Sequence, residues 1–179
     1  MIARNLTFMV ALLVANGFFV AVEFALIASR RTKLEALAEQ GSARAKLAVR
    51  SMRHLNLQLA GAQLGITMAS LALGYVAEPT VAGLLEDAVS SVVHLPESVL
   101  HTGGFVVALI IVAFLHMVVG EMVPKNIAIA SPERTLMVLA LPNRAYVTML
   151  GPVLRVLNGL ANAGVRLLGV EPRDELATA

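Results

Sequence analysis

Cysteine is absent from the 179 residues, which excludes disulfides, thiolate metal sites and cysteine nucleophiles while leaving the redox compartment open. Charge is scarce as well. Only 15% of the residues are Asp, Glu, Lys or Arg, against about 25% in ordinary soluble domains. With 58% hydrophobic residues and a mean hydropathy of +0.77, the chain is too apolar to be water-soluble. It reads as an all-α integral membrane protein, with room for a single domain over 1–179. Hydrolase parts are missing too: there is no His-Glu-x-x-His string and no Gly-x-Ser-x-Gly elbow, so an enzyme is not expected.

Three windows are long and clean enough to cross a bilayer, which takes about 18 to 20 apolar residues. They are residues 5–22, ending at Glu23, residues 55–77, and residues 102–120, ending at Glu121. The predicted spans are about 5–29, 55–77 and 102–123. Beyond Lys125 the uncharged gaps shrink to ten residues, because Arg134, Arg144, Arg155 and Arg166 recur every ten or eleven. Such intervals are close to three helical turns, so these arginines share a face wherever the helix continues. The pattern predicts juxtamembrane helices over about 132–168 that lie in the membrane interface, broken by Pro142 and Pro152. A hydropathy average alone marks 135–158 as a span.

Lysine and arginine set the expected orientation. Residues 30–53 carry seven basic side chains against Glu35 and Glu39, whereas 78–101 carry Glu78, Glu86, Asp87 and Glu97 and no Lys or Arg. The positive-inside rule places 30–53 in the cytoplasm, the amino terminus and the acidic loop outside, and everything from Lys125 onward inside. Arg4 is the one dissenting charge. A cleaved signal peptide over 1–30 is disfavoured, because Glu23 interrupts it and the basic residues follow it. The basic 30–53 segment is explained by topology and by contact with anionic lipid, and nucleic-acid binding gains nothing from it.

Polar groups inside the spans carry the functional question, since an ionisable side chain in lipid must face a partner, a cavity or an ion. Glu121 stands after nineteen residues without a charge, between Gly120 and Pro124. Both neighbours weaken regular helix hydrogen bonding, and freed carbonyls beside a carboxylate suit a hard cation. His116, one turn before Gly120, faces either the same cavity or a hydrogen-bond acceptor on another helix. Asn16 and Glu23, seven apart, share a face of the first span; Glu23 either contacts an ion or pairs with Arg30 and Arg31. Gly61, Gly65 and Ala69 form a row of small residues near Gln58, Gln63, Thr67 and Ser70. Helix packing is the plainer reading of Gly61 and Gly65, and Ser70 stays open between packing and ion contact. Oxygen donors without cysteine point to Mg2+, Na+, Ca2+ or H+ rather than to zinc or copper.

Four strings, in order, resemble the transmembrane domain of the CNNM/CorC family: Asn16-Gly17-Phe18-Phe19 through Glu23; Arg30-Arg31-Thr32-Lys33-Leu34-Glu35; Gln63-Leu64-Gly65 through Ser70 and Gly74; and Gly120-Glu121-Met122-Val123-Pro124-Lys125. The resemblance covers nearly the whole chain. It implies a homodimer of three-span protomers with a cytoplasmic juxtamembrane belt, in the cell (inner) membrane, exporting Mg2+ against entering Na+. It also implies an ion site of Glu121 and Gly65, to which Ser70 and Asn16 are added as candidate oxygen donors. Where many members place serine and asparagine, this chain has Val20, Ile66 and Thr67. Members usually continue into paired CBS domains; here the chain stops at Glu171 to Ala179, so those regulatory domains are absent and truncation of a longer protein is expected. The alternative function is a non-transporting anchor or dimerisation module for such cytoplasmic domains.

Overall fold

A computed structural model of the chain describes residues 2–90 and 97–169; the tail from Glu171 to Ala179 lies outside the described residues. Every regular element among the described residues is helical. In order these are α1 (Ile2–Ala28), α2 (Arg31–Glu39), α3 (Ala43–Met52), α4 (Leu55–Ser90), α5 (Glu97–Leu115), a π-helical stretch (His116–Met122), α6 (Val123–Ala130), α7 (Pro132–Met149) and α8 (Gly151–Leu167). Among the described residues three helices are long and apolar enough to cross a membrane, Ile2–Ala28, Leu55–Ser90 and Leu100–Ala130, and α7 with α8 passes the same test only as one bent pair. In lipid a helix satisfies all its backbone groups internally, which is why these long apolar runs fold this way.

Each of the three contains its expected window and runs past it. The longest extension carries α4 through Pro79 to Ser90. Pro79 cannot donate the helical hydrogen bond to Tyr75, and beside it the Thr80 hydroxyl donates to the Val76 carbonyl at 2.6 Å and accepts from Asn5 Nδ2 at 3.2 Å.

The chain divides into two compact units. The first comprises 1–17 and 66–124. Its core is Met9, Leu73, Ala77 and Val112, flanked by Leu12, Leu13, Val76 and Val81, residues at helical i, i+3 and i+4 spacings.

The second unit comprises 18–65 and 125–179. Here α2 is followed by Gly41, whose φ of 95° is open to glycine at little cost, and Ser42 caps α3 by accepting from the Ala45 N–H at 3.2 Å. The core gathers Val22, Ala25 and Leu26 of α1, Leu34 of α2, Ala48 and Val49 of α3, and Leu136 and Ala140 of α7. In α7, Glu133, Leu136, Ala140, Asn143 and Val147 are buried, a single stripe by their spacing.

One expectation fails here. Pro142 does not break the juxtamembrane stretch: α7 runs through it to Met149, and the break falls at Leu150 and Gly151, with Pro152 in the first turn of α8. The reason is location. Pro142 and Val138, whose carbonyl loses its donor, are both exposed, so no buried polar group is orphaned. The pair α7 and α8 bends by 79°. In α8, Arg155, Asn158, Asn162 and Arg166 share one side, while Val153, Val156, Leu157 and Leu160 are exposed apolar residues. An amphipathic helix of this kind suits the interface better than the bilayer core.

Candidate functional site

The first unit holds a polar cluster built from three helices. Gly120 lies in the π-helical stretch His116–Met122, a local widening frequent at functional sites. Pro124 has no N–H to give the Gly120 carbonyl in the usual i to i−4 manner. Asn16 supplies the donor instead: its Nδ2 reaches the Gly120 oxygen at 2.9 Å, and Asn16 is completely buried. Close approach makes this possible. A Cβ on Gly17 would lie 2.9 Å from the Pro124 ring, and one on Gly120 would lie 2.9 Å from His116 Cδ2 and 3.1 Å from Asn16 Nδ2.

The hydrogen bonds continue outward. Ser70 Oγ donates to Asn16 Oδ1 at 3.1 Å and lies 3.2 Å from His116 Nε2. A hydroxyl has a single proton to give, so His116 donates to Ser70 through Nε2–H, and the direction runs from His116 to Ser70 to Asn16 to the Gly120 carbonyl. Glu121 Oε1 stands 3.6 Å from the same His116 Nε2. Its side chain is 48% exposed, that of His116 24%. The result is a carboxylate at the rim, with an imidazole, a hydroxyl, an amide oxygen and a backbone carbonyl behind it. Such a set offers hard oxygen donors and one group able to carry a proton. Among the described residues no three His, Asp or Glu side chains converge, so any cation held here depends on neutral oxygens as well as on Glu121.

Asn16, Ser70 and Glu121 thus fall into one cluster. Gly65 belongs to the second unit, where the Phe19 ring packs on it so closely that a Cβ would lie 2.5 Å from ring carbons. Gly61 meets Val147 and Leu154 in the same way, and Ala69 is buried, so the small-residue row packs helices. The Phe19 ring in turn lies tilted at 4.7 Å against Tyr146 and edge-to-face at 4.9 Å against Phe18.

Glu23 does not take the expected partners. Arg30 and Lys33 both engage Glu133, at 3.5 and 3.0 Å, and Arg31 pairs with Glu35 at 2.8 Å. Burial opposes the charged form of Glu133, but the hydrogen bond from Lys33, the backbone N–H groups of Glu133 and Arg30 and the Lys33 charge outweigh it and hold its carboxyl below the usual range. The first turn of α7 also favours a negative charge.

Sequence reasoning missed the Gly120 carbonyl as a bonded group and the π-helical turn itself. Gly120 and Pro124 were the available signal, and Gly17 directly after Asn16 marked the place where two backbones approach.

The chain matches the CNNM family model, described as the cyclin M transmembrane N-terminal domain, over residues 7–179. It is 50% identical over 165 residues to uncharacterized protein MT1889 of Mycobacterium tuberculosis (strain CDC 1551 / Oshkosh), which covers 92% of this chain and 46% of that protein. It is 38% identical over 164 residues to UPF0053 protein YhdT of Bacillus subtilis (strain 168), covering 92% and 35%. Against UPF0053 protein sll0260 of Synechocystis it is 31% identical over 172 residues, covering 95% and 38%. The chain therefore spans less than half the length of these relatives.

Proposed function

This chain belongs to the CNNM family, as its transmembrane N-terminal domain, and on that premise we propose that it exports Mg2+ from the cell in exchange for entering Na+. At the coarser level it is a multi-pass membrane protein of a transporter family. The observation that carries the finer reading is the cluster of Glu121, Ser70, Asn16 and the Gly120 carbonyl. Mg2+ takes about six oxygens in octahedral geometry and keeps several waters. Glu121 would supply the charge, Ser70 and Asn16 neutral oxygens, and water the remainder; Gly65 keeps its place on the sequence string alone.

The cluster also suits release. A single, half-exposed carboxylate binds weakly enough for an ion to leave, which transport requires. In this mechanism Ser70 turns its hydroxyl proton away from the arriving ion, and His116 shifts its Nε2–H from Ser70 toward Glu121 when the ion departs. Entering Na+ then resets the site. The amino terminus lies outside and the carboxy terminus in the cytoplasm of the cell's inner membrane, following the basic residues of 30–53. The protein works as a homodimer: the third span buries only 17% of its apolar window, leaving a face for lipid and for a second copy. Cytoplasmic CBS domains are its partners in the longer protein.

A second reading, a non-transporting anchor and dimerisation module, draws on the closed bonding of Asn16 and Ser70 and on Val20, an apolar residue 4% exposed. Proteoliposomes separate the two. With the full protein reconstituted and loaded with Mg2+, Glu121→Gln should reduce Na+-driven efflux by more than about tenfold, the equivalent of about 1.4 kcal/mol. Efflux unchanged in that variant removes the proposed site, and absence of Na+-driven efflux from the unsubstituted protein leaves the anchor.

A further inference from the structure

The second unit contains a cavity of about 620 Å³ that the ion reading does not use. Its wall is formed by the end of α3 and the turn after it, by the start of α4 and by both sides of the bend between α7 and α8. Arg50, Arg53, Arg144 and Arg155 line it together with His54, and among the described residues no carboxylate does. We propose that this cavity is a binding site for a phosphate-bearing anion, supplied in the membrane by the headgroup of an anionic lipid.

Three observations carry the assignment. The first is charge without compensation. Elsewhere in the same unit Arg30, Arg31 and Lys33 each have a carboxylate within 4 Å, whereas among the described residues none of the four cavity arginines takes part in an ion pair. Guanidinium groups gathered around one space repel each other unless an anion answers them, and their planar forks match phosphate oxygens in pairs.

The second is an orphaned donor. Ser51 is 3% exposed, lines the cavity, and its hydroxyl has no hydrogen-bond partner among the described residues. A buried hydroxyl left unbonded costs about 1–3 kcal/mol, and rotation of the Ser51 side chain toward the cavity would bring it to an anion oxygen.

The third is position along the chain. The cavity sits where the second span begins at Leu55, and basic side chains at a span end lie at headgroup level. Leu57 and Val147 add apolar wall beside the arginines, as the neck of a lipid requires and a free phosphate does not. An adjoining depression shares Arg50 and Arg53 but adds Glu35 and Glu39, so the phosphate belongs on the Arg144 and Arg155 side.

The test uses the full protein in nanodiscs and, after mild extraction, native mass spectrometry to count retained lipid. Phosphatidylglycerol should be retained at least about tenfold better than phosphatidylcholine, in line with charge-assisted pairing, and Arg144→Gln with Arg155→Gln should remove that preference. Ser51→Ala is the milder second variant, expected to weaken retention about threefold. Arg166→Gln, an exposed arginine of α8 outside the cavity, should leave retention unchanged. If the delipidated protein is stabilised by pyrophosphate through Arg144 and Arg155 while the two lipids are retained equally, the anion site stands and its source is soluble. Equal retention with no such effect of pyrophosphate, or loss as large in Arg166→Gln as in the double variant, overturns the proposal.

Discussion

Asn16 in the first unit and Glu133 in the second are both buried polar side chains, 0% and 6% exposed, yet their surroundings solve the problem of burial in opposite ways. Asn16 is neutral and is answered by neutral groups, the Gly120 carbonyl and the Ser70 hydroxyl. Glu133 is charged and is answered by charges whose other ends stay wet: the side chains of Lys33 and Arg30 are 52% and 74% exposed. The difference follows the surroundings. In lipid an amide satisfied on both sides avoids the cost of a buried charge, whereas at the water boundary long basic side chains can reach in while staying solvated.

The comparison can be broken most severely at Asn16. Asn16→Leu leaves the Gly120 carbonyl without its donor and Ser70 without its acceptor, and should cost about 2–4 kcal/mol for two such groups, read as a fall in melting temperature in detergent. A loss below about 1 kcal/mol would mean that other groups replace both bonds. Gly120→Ala comes next: its Cβ would press His116 and Asn16 apart, an overpacking cost of about 1–3 kcal/mol.

Glu133→Gln should cost less, about 1–2 kcal/mol, because exposed partners recover much of their solvation when released. Salt sharpens the contrast, since about 1 M salt screens the Glu133 pairs but leaves a neutral network intact. So does acid. The folded carboxyl of Glu133 lies below its usual range, so its stabilisation is complete above the unfolded value and is lost as pH falls through the folded one. Melting curves across that range should show an acid limb that Glu133→Gln flattens and Asn16→Leu does not. The smallest effect is expected for Ser70→Ala, about 1 kcal/mol, because Asn16 keeps its bond to Gly120.

The two regions were not equally legible in the sequence. Asn16, Ser70 and Glu121 stood out because a polar residue in an apolar run has few reasons to be there, and the structure brings them into one cluster. Glu133 gave no such signal, since a glutamate among charged residues beyond a span is ordinary. Glu23 misled for a related reason: proximity in sequence suggested Arg30 and Arg31, but those side chains find their carboxylates elsewhere. Pro142 misled because a proline breaks a helix only where its missing donor and its ring cannot be accommodated, and burial is not printed in the sequence.

Hydrophobic run lengths by themselves determined an all-helical membrane chain with three long apolar candidate spans, because lipid admits so few ways to satisfy a backbone. What only the tertiary structure decided is which groups meet across helices: the turn that offers the Gly120 carbonyl to Asn16, the ring of Phe19 on Gly65, the gathering of Arg50, Arg53, Arg144 and Arg155 around one cavity. Local periodicity fixes the face on which a side chain lies. Its partner is set by the close packing of other helices, which depends on contacts between residues far apart in the chain.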